Sequence, residues 1–134
     1  MSIWYHLHGA LTHFPIALAI ASFTFDFAAA VFRKPSLRAA GLWTLLMAAL
    51  AAVPAVATGF FTANTDYPGA PGVVLHRNIS IAGSVLLLLL ALYRGLRRDD
   101  MSRRGFVAYL VGVLMAAGAV GLTGWLGNRV LTGG

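Results

Sequence analysis

The chain has 134 residues, of which 59% are hydrophobic and 10% charged, with a formal net charge of +6 and no cysteine. Soluble domains carry about a quarter charged residues, so the composition excludes an ordinary soluble globule. The missing cysteines exclude disulfides, thiol chemistry and cysteine-held iron–sulfur clusters.

A membrane-crossing helix needs about 20 mostly apolar residues. In chain order the sequence predicts four such spans, at about Ala10–Phe32, Ala39–Phe61, Ile79–Leu96 and Gly105–Leu126. They use nearly the whole length, which predicts one membrane domain over residues 1–134. The runs are too long for barrel strands of about 10 residues, and only helices or closed barrels satisfy their backbone in lipid. The expected fold is therefore all-α, an integral membrane four-helix up-and-down bundle. No positively charged leader precedes the first span, so that span is expected to be retained.

In the first span, Pro15 predicts a helix start near His13, because proline suits a first turn and disfavours helical geometry just before it. Asp26 is the one acid inside a span, and a buried carboxylate in a membrane is expensive. It lies two turns from Arg33, which predicts a local pairing or a polar tie to another helix. Pro54 predicts a kink in the second helix. The longest connection follows, with Asp66, Pro68, Gly69, Pro71 and Gly72 as turn and breaker residues. It divides the chain into two helical hairpins. Glycines 118, 121, 124 and 127 sweep around the fourth helix, the pattern of close helix packing.

The two hairpins look related. His13 and His76 each precede a similar apolar run, and Thr58-Gly59-Phe60 is echoed by Thr123-Gly124-Trp125 at spacings of 45 and 47 residues. A duplication of this kind pairs His13 with His76 across a pseudo-twofold axis along the membrane normal.

Charge sets the expected topology. Eight of the ten cations, Arg33, Lys34, Arg38, Arg94, Arg97, Arg98, Arg103 and Arg104, flank one end of the spans; Arg77 and Arg129 fall at the other. The positive-inside rule then places both termini, the middle loop and the four histidines outside. A basic chain of this kind does not read as a nucleic-acid binder, because its cations flank spans instead of forming a stripe with aromatics.

Neutral imidazole is a good ligand for haem iron, copper or zinc. Helices one and three are diagonal in an up-and-down bundle, so His13 and His76 are the expected axial ligands of one haem b, with His8 as the substitute for His13. Arg77 and Arg129 are the candidates for the haem propionates, since arginine pairs well with carboxylates. A second reading is a copper or zinc site built from His8, His13 and His76; a third is a cofactor-free membrane scaffold or assembly subunit. His6 and His8, which precede the first span, would form a three-imidazole metal site with His13 if the chain bends before Pro15. No hydrolase triad, phosphate loop or carboxylate-rich metal site is present in the sequence.

The run from His8 to Leu18, with His13-Phe14-Pro15-Ile16 at its centre, resembles the opening of a bacterial family of small four-helix predicted membrane proteins of unknown function. Asp26, Thr58-Gly59, Asp66, His76 and Gly124-Trp125-Leu126-Gly127 match that family's later motifs in order. Gly9 departs from it, standing where proline is usual. The resemblance implies a bacterial inner (cytoplasmic) membrane protein. Members of the family can be joined to c-type cytochrome domains, which implies a redox partner protein or larger membrane complex and favours haem. The expectation is thus an electron-transfer protein or subunit in preference to an independent enzyme.

Overall fold

A computed structural model describes residues 1–98 and 100–132, with side chains described through residue 130. Four helices follow in order: α1 (Ile3–Phe32), α2 (Pro35–Thr65), α3 (Val73–Arg97) and α4 (Arg103–Thr132). All four are long and apolar enough to cross a membrane. Each packs on its neighbours in a ring, α1 on α2, α2 on α3, α3 on α4 and α4 on α1. This is the expected up-and-down bundle, with α1 and α3 on one diagonal.

The helices are longer than the apolar runs. Ser2 caps α1 by accepting a hydrogen bond from the Tyr5 amide, and Pro35 opens α2 at a position where its missing N–H costs nothing. Between α2 and α3 the turn residues behave as the sequence suggests, with Gly69 (φ 73°) and Gly72 (φ 84°) in the left-handed region. Pro15, however, lies in the interior of α1. The helix starts twelve residues earlier, so His13 is not at its beginning. Neighbouring helices in a membrane bundle let proline remain inside a span.

One stripe of α1 faces inward: Pro15, Ala19, Ser22, Asp26 and Ala29 are buried. Steps of four and three residues place these on one face. Extending the stripe backwards reaches Thr12 and His8 and misses His13. On α2 the inward residues are small, with Ala48, Ala49, Ala52 and Ala55 all buried. Small side chains let backbones approach, which is what drives helix association when lipid is as apolar as the core. The outer faces carry large exposed apolar residues such as Leu50, Leu89, Leu92 and Met115, the surface a bilayer would cover.

The two hairpins do correspond, but with a constant offset of 68 residues that differs from the pairing expected above. Leu46-Met47-Ala48-Ala49 recurs as Leu114-Met115-Ala116-Ala117. Buried Ala19, Leu45, Ala48, Ala49 and Ala52 match buried Leu87, Val113, Ala116, Ala117 and Val120. At this offset His76 corresponds to His8, and His13 to Ile81.

Asp26 and Arg94 also occupy corresponding positions, and they meet. The Asp26 carboxylate is fully buried. It accepts from the Tyr109 hydroxyl at 2.6 Å and from Arg94 at 3.4 Å. Gly41 of α2 leaves the room it occupies, since a Cβ there would lie 2.5 Å from Oδ1. The acid is therefore a tie among four helices, and its cation is Arg94 on α3, not Arg33.

Candidate functional site

A second group of polar residues gathers at the opposite end of the bundle from this tie. There the α1 and α2 termini are joined by the Ser2 amide and hydroxyl, which both donate to the Asp66 carboxylate, the former at 2.7 Å. Two hydrogen bonds to its charged form hold the Asp66 carboxyl below the usual carboxylate range. Trp4 stacks on Phe61 with ring centroids 4.5 Å apart, closing the same corner.

Behind this corner a cavity of about 590 Å³ opens between the helices. That volume falls in the range of small-molecule and cofactor sites. His8, His13, His76 and Arg77 all line it, as does His6. The structure distinguishes among them. His8 and His76 are half-buried and face each other, their ring centroids 6.2 Å apart and their planes at 89°. His13 is exposed. Five residues separate it from His8, about 140° around a helix, so the two cannot point the same way. The diagonal pair is thus His8 with His76, and His13 stands at the rim. No group of three or more His, Cys, Asp or Glu side chains that could hold a metal ion occurs among the described residues. Of the three histidines of the alternative metal site, His8 and His76 lie close together and His13 is exposed.

Each imidazole sits in the same local frame. His8 Nδ1 lies 2.9 Å from the Ala55 carbonyl, with the Thr58 hydroxyl 3.4 Å away. A carbonyl can only accept, so the proton is on Nδ1 and the Nε2 lone pair is free to bind a metal. The corresponding carbonyl, that of Thr123, faces His76. His76 Nδ1 is buried with no hydrogen-bond partner. Such an orphan costs about 1–3 kcal/mol. Glycine backs both rings: a Cβ on Gly59 would come within 2.9 Å of His8, and one on Gly127 within 3.3 Å of His76. His8 to Gly59 and His76 to Gly127 are the same distance along the chain, which no reading based on His13 could detect.

The two arginines expected near the site part company. Arg77 lines the cavity and is exposed. Arg129 is at the same end, but its guanidinium lies 4.3 Å from the centre of the Trp125 ring. Of the glycines on α4, Gly124 and Gly127 border the cavity, while Gly118 and Gly121 have open space where a side chain would go. Their spread around the helix serves two surfaces, one of them the cavity.

Fold and cavity together define a small four-helix membrane protein with a two-imidazole pocket at one end. The chain belongs to the family described as "Predicted membrane protein (DUF2231)", whose model matches residues 5–132. Comparison with curated proteins found no match, and comparison with solved structures found none.

Proposed function

We propose that the protein is a b-type cytochrome-like electron-transfer protein or subunit, holding one haem b between His8 and His76. The observation that carries this reading is the perpendicular imidazole pair, 6.2 Å apart, delivered into one cavity by the diagonal helices. Two imidazoles bound to one metal from opposite sides, with bonds of about 2 Å, have centroids roughly 6.4 Å apart. The Thr123 carbonyl facing His76, as that of Ala55 faces His8, and the glycines behind both rings fit the same use. His8, with His13 as an exposed rim residue about 140° around α1, is the partner of His76.

Haem with two imidazole ligands has no open coordination position and exchanges single electrons. The chain's own residues do the rest. The Ala55 carbonyl fixes the His8 tautomer and orients its ring. Gly59 and Gly127 keep the rings close to the backbone. Arg77, at the wall, would pair with a propionate; Arg129 would reach one only by leaving Trp125. The clustering of cations at the far end of the bundle supports an orientation with the histidines and both termini on the outer side of what would be a bacterial inner membrane, where a redox partner or larger complex would exchange electrons.

An absorption spectrum of the purified protein tests this. A Soret band that sharpens on reduction is expected, lost in His8→Ala and His76→Ala and retained in His13→Ala. Colourless protein carrying copper or zinc by elemental analysis would favour metal handling, and protein with neither would favour a scaffold. Because the chain has no cysteine, single cysteines at Ser2 and Lys34 can be labelled with an impermeant maleimide. Labelling from outside at Ser2 and not at Lys34 is expected.

A further inference from the structure

The end of the bundle opposite the histidines holds a second cavity, of about 870 Å³. Its walls bring together Arg33, Lys34, Arg38, Arg94, Arg98 and Arg103, and no carboxylate stands among the described residues that line it. These cations come from α2, α3, α4 and the connections after α1 and α3, so the tertiary fold, not a local charge run, assembles them. Like charges held this close repel, and an anion relieves the repulsion.

Several details argue that the arrangement is built for a ligand. Arg94 is buried, with one terminal nitrogen on Asp26, the other on the Arg98 carbonyl, and Nε without a partner. Asp26 brings one negative charge to this end, set against Arg94 and Arg38. Arg33 and Arg98 end α1 and α3 with φ of 54° and 44°, a region where glycine is preferred at helix ends. An arginine at each position accepts that strain while placing a cation at the cavity. Helix α2 begins at the cavity wall with no side-chain cap and no acid in its first turn.

We propose that this cavity binds a phosphate-bearing anion, and that its source is the headgroup of an anionic phospholipid. Arginine matches phosphate geometry with paired hydrogen bonds, and basic pockets between membrane helices are suited to lipid headgroups. The remaining wall decides between a lipid and a free anion. Ala30, Leu42, Leu46 and Trp43 continue the cavity along apolar surface, and Trp43 is 64% exposed on the outer face of α2. Acyl chains extend along such a surface, whereas inorganic phosphate gains nothing from it. The site is independent of the haem reading and lies at the other end of the molecule.

The test is thermal unfolding of the purified full chain in uncharged detergent, with phosphatidylglycerol, phosphatidylcholine of the same acyl chains, or inorganic phosphate added. Phosphatidylglycerol is expected to raise the midpoint and to remain bound in native mass spectrometry, with no comparable response to phosphatidylcholine. The variant Arg33→Gln/Lys34→Gln/Arg98→Gln folds with a lipid-free midpoint equal to or above that of the parent, because these side chains are exposed and their mutual repulsion is removed. Its affinity for phosphatidylglycerol is expected to fall about fivefold per cation removed, roughly a hundredfold in all. Equal shifts with both lipids, or an undiminished response in the variant, overturn the proposal. An equal shift with millimolar phosphate overturns the lipid assignment in favour of a free anion.

Discussion

Gly41→Ala isolates the polar tie at the centre of the bundle. A Cβ there would lie 2.5, 2.6 and 2.9 Å from Oδ1, Cγ and Oδ2 of Asp26. Ordinary contact begins near 3.4 Å, so the carboxylate must retreat by about 1 Å. It has nowhere to go without cost, being fully buried and held by Tyr109 at 2.6 Å and Arg94 at 3.4 Å. Losing one hydrogen bond to a charged group costs about 1.5–3 kcal/mol, and overpacking about 1–3 kcal/mol more. Replacing a helical glycine by alanine returns about 1 kcal/mol. The net loss is about 2–5 kcal/mol, read as a lower unfolding midpoint in detergent by circular dichroism. Gly118→Ala, where nothing stands within 4 Å, supplies the control and should be neutral or slightly stabilising. The decisive measurement is a double-mutant cycle. Asp26→Ala alone strands the buried Arg94 and costs about 3–5 kcal/mol, but Gly41→Ala added to it should cost nothing further. If Gly41→Ala is equally harmful in both backgrounds, the carboxylate does not sit against Gly41 and the reasoning fails.

Other outcomes follow from the same geometry. Gly59→Ala should disturb the His8 site more than Gly127→Ala disturbs His76, because the intruding Cβ meets the ring at 2.9 Å in one case and 3.3 Å in the other; Gly121→Ala, facing open space away from the cavity, should leave the haem spectrum and affinity unchanged. Tyr109→Phe removes the 2.6 Å bond to Asp26 and should cost about 1.5–3 kcal/mol of stability, measurable in the same unfolding assay. Asp66 gives a pH signature. Its folded carboxyl titrates below the ordinary 3.8, held there by Ser2. The stabilisation is therefore full above the unfolded value and is lost as pH falls through the folded one. Trp4, stacked at this corner, should report the loss by fluorescence between about pH 4 and the acid limit, and Asp66→Asn should remove the transition.

Some of the site was legible before any coordinates. Counting back along α1 from Asp26 in steps of four and three reaches Ser22, Ala19, Pro15, Thr12 and His8, and never His13. The repeated Leu-Met-Ala-Ala at 46–49 and 114–117 carries the same offset that relates His8 to His76. Pro15 hid the first signal, since proline marks a helix start in water far more strictly than inside a bundle. The conspicuous His-Phe-Pro motif hid the second by drawing attention to His13.

Hydropathy and charge placement alone determined that the chain forms four membrane-length helices with imidazoles at one end and cations at the other. Both depend only on local composition, because lipid demands apolar length and internally bonded backbone wherever a segment crosses it. Which side chains meet was decided by tertiary structure. His8 with His76, Asp26 with Arg94 and Tyr109, and the six cations of the second cavity are all contacts between helices. In a membrane bundle the outer face is as apolar as the inner one, so the pattern that reveals the buried side of a soluble helix is erased, and only packing brings these partners together.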